Sequence, residues 1–173
     1  DDLLPVSEME WEGPVFVGGP EITLHGTAKS IYEQILKLNP SYDPWLFPDY
    51  LPAPLALRGL ETRETGKFNC GKGKEVGNYD TQCLEGWSYL RKLGNRMCGA
   101  KKNSCSRVSC STNCGVYLCS TTGSEKKVKC GSLANDMAKI SNECGHGWGD
   151  SVWSVSGRLT FSKHYVQLNS VSC

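Results

Sequence analysis

The rhythm of apolar and polar positions changes several times along this chain. Residues 11 to 25 alternate loosely and are interrupted by Gly18-Gly19-Pro20, which predicts a short hairpin around that turn. From residue 28 the period lengthens. Ile31, Ile35 and Leu38 make a helical stripe that Thr27 is placed to cap and Asn39-Pro40 to stop. Residues 40 to 54 lose both periods and carry five prolines, with Tyr42, Trp45, Phe47 and Tyr50 between them. Disordered linkers are poor in aromatics, so this stretch reads as an extended strap that lies across another surface.

In the second half, Asp80 or Thr81 is placed to cap a helix that reaches Leu93 and ends at Gly94, with Cys83, Trp87, Leu90 and Leu93 on its inner face. The β-rich runs 106–110 and 115–121 flank Ser111-Thr112-Asn113 and predict a second hairpin. Ser132 is placed to cap another helix, whose stripe is Leu133, Met137, Ile140 and Cys144; a cysteine there can tie the helix to the sheet beneath it. Runs 151–155, 158–162 and 165–171 read as strands, with Cys173 pinning the terminus. The fold class is α+β: a disulfide-rich sandwich of an antiparallel sheet and two helices, preceded by a small segment with a hairpin and one helix.

Cysteine placement divides the chain. Cys70, Cys83, Cys98, Cys105, Cys110, Cys114, Cys119, Cys130, Cys144 and Cys173 all lie in the second half. An even count at this density reads as a disulfide framework made in an oxidising compartment, whose pairing the sequence leaves open. Zinc is the competing reading, but no C-x2-C knuckle is present and His25, His146 and His164 lack ligand spacing. No apolar run approaches the length of a bilayer span, and the chain starts at Asp1 as if a signal peptide had been removed. No N-x-[ST] acceptor occurs. The expectation is a secreted, extracellular protein without cofactor or metal.

Charge follows the same boundary. Residues 1 to 58 hold nine acids and three bases, whereas residues 59 to 173 hold nine acids and sixteen bases, behind a net charge of only +1. Halves of opposite sign attract, and the basic half seeks an acidic or anionic partner. Between them lies Leu55-Ala56-Leu57-Arg58, with Arg63 soon after, a plausible cleavage site for a secretory-pathway convertase. The expected organisation is an acidic, cysteine-free pro-domain (1–58), a cleavable linker (59–67) and a basic disulfide-rich domain (68–173), with the pro-domain docked on the basic domain.

Within 115–173, the runs G-V-Y-L-C-S, C-G-S-L-A-N-D-M-A-K-I-S-N-E-C-G, V-S-G-R-L-T-F and Y-V-Q-L-N-S-V-S-C resemble the killer-toxin family of fungi, the killer protein four type of smut fungi. Ten cysteines also match that toxin's number. The first half resembles propeptides of small secreted effectors of filamentous fungi. There a segment like W-E-G-P and then L-H-G-T-A-K-S-I-Y-E-Q-I-L-K-L-N-P-S-Y-D-P precedes a kexin-type cut, and L-A-L-R is similar to the L-x-x-R motif of such pro-domains. The resemblance implies a fungal proprotein, cut by a kexin-type protease, that releases a non-enzymatic toxin or effector. It would act on a competing microbe or a host plant cell. In the family, block of calcium channels is one proposed action, with a basic residue near the hairpin cysteine important. In this sequence that place holds Val108, beside Arg107.

A catalytic constellation is hard to assemble. His146 stands in Cys144-Gly-His-Gly-Trp-Gly-Asp150 without a nucleophile-elbow serine, and His164 falls in a predicted strand as a sheet-surface residue. Gly71-Lys72-Gly73-Lys74 lacks the ending of a phosphate loop. Lys101, Lys102, Arg107, Lys126, Lys127 and Lys129 cluster in sequence around the predicted hairpin and form a candidate target-binding face. Nucleic acid calls for interleaved aromatics or a known module, and neither is present. The expected partner is a membrane protein, channel, wall polymer or host receptor on another cell. A secreted binding module, such as a protease inhibitor, is the alternative, and a small hydrolase a third.

Overall fold

Alternation at the start of the chain sets the architecture. The computed structural model describes residues 3–51, 65–147 and 153–173. In β1 (Val6–Pro14), Met9, Trp11 and Gly13 face the interior, while Glu8, Glu10 and Glu12 fall on the opposite face. A turn through Gly18 leads to β2 (Glu21–Gly26), which pairs antiparallel with β1 from Met9↔Gly26 to Pro14↔Glu21. Helix α1 (Ala28–Leu38) follows. The Thr27 hydroxyl accepts from the Ser30 amide, and Ile31 and Ile35 are buried, as their spacing predicts. Leu38 departs from that stripe and is exposed at the last turn.

The cysteine-rich part adds β3 (Lys67–Cys70), the single turn α2 (Tyr79–Gln82), α3 (Leu84–Leu93), β4 (Met97–Ala100), β5 (Cys105–Ser111), β6 (Cys114–Ser120), β7 (Lys126–Lys129), α4 (Cys130–Cys144), β8 (His146–Gly147), β9 (Trp153–Ser154), β10 (Gly157–Thr160) and β11 (His164–Ser170). Among the described residues nine strands share one sheet, in the order β3-β10-β11-β6-β5-β1-β4-β7, with β2 beside β1. β8 and β9 form a separate small ribbon. The disulfide-rich α+β class therefore holds.

Several local expectations need correction. Asn78, rather than Asp80 or Thr81, caps α2, its side chain accepting from the Thr81 amide. α4 begins at Cys130, two residues before Ser132, whose hydroxyl donates to the Lys129 carbonyl from inside the first turn. Of the strand expected at 151–155, Trp153–Ser154 is a strand and Val155 forms a bridge with Val76, while residues 151–152 lie outside the described residues. His164 is buried at the start of β11 and stacked on Phe161, with ring centroids 4.6 Å apart, because the Phe161–His164 turn folds both rings inward. The second hairpin is as read. Thr112 and Asn113 both take positive φ, the geometry that lets a two-residue turn follow the strands' twist.

Strand β1 is the seam of the sheet. Its first residues run parallel to β5 (Val6↔Cys105 to Glu8↔Arg107), and Glu10–Glu12 run antiparallel to β4. Apart from this parallel pair, the ladder is antiparallel. The interior joins both halves of the chain: Met9, Trp11, Ile31 and Ile35 lie in one cluster with Leu90, Leu93, Leu118, Leu133, Met137 and Ile140. Burying a side chain of this size stabilises by about 1.5–3 kcal/mol.

All ten cysteines pair: Cys70–Cys144, Cys83–Cys114, Cys98–Cys130, Cys105–Cys119 and Cys110–Cys173. Helix α4 is bridged at its first residue to β4 and at its last to β3, so it is fixed at both ends across the sheet. Cys110–Cys173 pins the C-terminus to the hairpin. Each such bridge contributes about 2–4 kcal/mol, largely by restricting the unfolded chain. No helix among the described residues is long and apolar enough to cross a membrane.

Candidate functional site

The aromatic strap and the end of α3 meet around Arg96. Gly94 closes α3 at φ +60°, and the chain turns directly into Arg96 and β4. A Cβ on Gly94 would stand 2.4 Å from the Leu51 carbonyl oxygen and 2.7 Å from the Tyr50 ring, so only glycine lets the strap approach. The Arg96 guanidinium is almost wholly buried and donates to both Asp49 carboxylate oxygens, Nη1–Oδ2 at 2.9 Å and Nη2–Oδ1 at 3.2 Å. It also lies over the Phe47 ring at 5.1 Å. Beside it, the Tyr50 hydroxyl donates to the Lys92 carbonyl at 2.7 Å. Asn95 accepts from the Leu51 amide and donates to the Asp49 carbonyl. Tyr42, Phe47 and Tyr50 are buried, and Trp45 is exposed against Tyr50.

The electrostatics follow from this packing. Hydrogen bonds from Arg96 hold the Asp49 carboxyl below its ordinary 3.8. Burial pushes the Tyr42 and Tyr50 phenols up to about 12. Two further ion pairs join the halves. Lys127 donates to Glu12 at 3.0 Å, a bond that holds its ammonium above 10.5. Lys29 reaches Glu85 at 3.4 Å, and Glu85 is held low chiefly by the Ser111 hydroxyl and then by Lys29.

The six basic residues singled out in the sequence are partly brought together. Lys101 and Lys102 follow β4 directly, and Lys126 lies opposite Ala100, so these three share one end of the β4–β7 pair. Lys127 is next along but is engaged by Glu12 and Glu125. Lys129 stands opposite Met97 at the other end of β7. Arg107 is on β5, opposite Glu8 and 5.9 Å over the Tyr117 ring. Val108, the residue compared in the sequence with a basic position of the resembled family, is fully buried. Arg58 and Arg63, the cleavage candidates, lie outside the described residues.

Two solvent-open clefts flank these features. One, of about 290 Å³, is walled by Tyr79, Cys83, Leu84 and Trp87 against Ala138, with Asp80 at its edge; Arg91 lies 5.0 Å over Trp87. The other, of about 430 Å³, opens where β1 leaves β5 and is lined by Val6, Ser7, Glu8, Gly26, Thr27 and Arg107. His146 is exposed and hydrogen-bonded to Glu75, while Asp150 lies outside the described residues. With all ten cysteines in bridges, none serves as a thiol nucleophile. The described residues hold no group of three or more His, Cys, Asp or Glu arranged for a metal.

Arg96 and Asp49 were invisible to sequence reasoning. The available signal was an arginine two places after a helix-stopping glycine and an aspartate within an aromatic strap, and neither names the other. The chain matches no family model, and no curated protein or solved structure matches it.

Proposed function

We propose that this is a secreted, non-enzymatic effector or toxin-like protein of the fungal killer-toxin kind. It is made as one chain and cut by a kexin-type protease at Arg58 or Arg63. It works by binding a molecule on a competing microbe or host plant cell: a membrane protein, channel, wall polymer or receptor. One observation carries this reading. All five bridges lie within residues 70–173, whereas every described tie from residues 3–51 to that part is non-covalent. A stapled part joined to an unbridged segment is an arrangement that a cut between them can separate into two chains, which supports the proprotein reading. The end of the β4–β7 pair carrying Lys101, Lys102 and Lys126 supplies the basic contact surface for an anionic target.

A binding module of the protease-inhibitor kind is the second reading, and the apolar cleft at Tyr79, Leu84 and Trp87 favours it as a pocket for a partner's side chain. The test is digestion by a kexin-type protease followed by intact mass, then growth and necrosis assays with the cut protein. A cut at Arg58 or Arg63 together with inhibited growth or necrosis supports the first reading. Stoichiometric inhibition of a protease selects the second, and turnover on generic substrates overturns both.

A further inference from the structure

We infer that the surface of residues 65–173 bounded by β4, β5 and the end of α3 is a polypeptide-binding site for an acidic segment that enters as a strand and closes with an aromatic strap, and that the chain's own residues 3–51 occupy it both before and after cleavage. The inference deepens the processing reading above, on which it rests for its biological setting: the working form is a two-chain complex rather than a released domain.

Three observations converge. First, β1 takes ladder hydrogen bonds from two strands of the cysteine-rich part, β5 along Val6–Glu8 and β4 along Glu10–Glu12. Removing it would bare both ladders and split the sheet between β5 and β4. Second, Met9, Trp11, Ile31 and Ile35 are fully buried in the common interior, and Tyr42, Phe47 and Tyr50 nearly so. A segment that supplies this much of the core does not dissociate as a surface ligand does. Third, recognition is specific and charged. The buried Arg96 takes the Asp49 carboxylate bidentately, Gly94 leaves room only for a close-lying backbone, and Lys127 takes Glu12. Main-chain pairing supplies the grip, apolar pockets the register, and Arg96 the selection for a carboxylate in the strap at the segment's far end.

The test uses the oxidised full chain. It is nicked by a kexin-type protease, or by a site-specific protease whose recognition sequence replaces residues 55–60. Failure of the kexin-type cut rejects the processing reading alone; the second nick still tests this inference. The nicked protein is followed by native mass spectrometry and gel filtration while it is diluted from micromolar to nanomolar. Both pieces are expected in one species throughout, and in molar salt, because screening weakens the exposed ion pairs, the half-buried Arg96–Asp49 pair much less, and the apolar burial not at all. Asp49→Asn and Arg96→Gln are each expected to raise the dissociation constant about tenfold or more. Leu46→Ala, at an exposed strap position, leaves it unchanged. Should Arg96→Gln fail to fold, Asp49→Asn carries the comparison, since its side chain is 70% exposed. Separation of the pieces on dilution at neutral pH, or equal weakening by Leu46→Ala and Asp49→Asn, overturns the inference.

Discussion

The Asp49 carboxylate and the Arg96 guanidinium form a bidentate pair between two parts of the chain that share no covalent bridge, and the pair is lopsided: the Arg96 side chain is 6% exposed and that of Asp49 70%. The buried partner depends on the exposed one. Water solvates Asp49 without Arg96, whereas Arg96 without Asp49 is a desolvated cation left over the Phe47 ring without a counter-ion from the strap.

Asp49→Asn is therefore expected to destabilise the protein by about 1–3 kcal/mol, the range for leaving a buried hydrogen-bonding group unsatisfied. Arg96→Met, which removes the buried charge along with its partner's need, is expected to cost less than Asp49→Asn. Urea titrations of both variants under oxidising conditions check the order.

The association of the strap has a pH window. Asp49 has a depressed folded-state pKa, so its contribution is present above 3.8 and is lost as pH falls below that value. Tyr42 and Tyr50 are raised to about 12, so their contribution is present below 10 and is lost as pH rises towards 12. Fluorescence of the strap's tryptophan, or gel filtration of the nicked protein, should show the tightest association between these limits and loosening at both ends. A flat profile from acid to alkali would mean the clasp contributes nothing.

Gly94→Ala tests the close approach of strap and helix. The residue sits at φ +60°, and its new Cβ would meet the Leu51 carbonyl at 2.4 Å. Backbone strain alone costs about 1–3 kcal/mol, so a lower melting temperature is expected. Faster proteolysis within residues 42–51 should accompany it. Gly123→Ala, where a Cβ meets nothing within 4 Å, is the matched control.

The two bridges of α4 should matter unequally to the two halves of the molecule. Cys98→Ser with Cys130→Ser frees the helix start from β4, the strand that pairs with β1. Cys70→Ser with Cys144→Ser frees the helix end from β3 at the opposite edge of the sheet. Each double variant is expected to lose about 2–5 kcal/mol. Hydrogen exchange should rise in β1 for the first pair and in β3 and β10 for the second.

Local chemistry alone determined much of this protein. Thr27 and Asn39 bound the first helix, Thr112-Asn113 turns the central hairpin, Gly94 ends α3, and ten cysteines in one half announce five bridges; each of these signals acts within a few residues or through composition. What tertiary structure decided lies at long range. That β1 of the acidic segment runs between strands of the cysteine-rich part is a pairing of residues about ninety positions apart, and no periodicity encodes a strand's neighbour. The same holds for Cys144 reaching Cys70, for His164 turning inward onto Phe161, and for the basic residues, of which Lys127 is taken by Glu12 while Lys101, Lys102 and Lys126 gather at one sheet end. Charge asymmetry foretold attraction between the halves, but Coulomb forces carry no address. Arg96 met Asp49 because the buried aromatics of the strap and the glycine before Arg96 set both groups in one place.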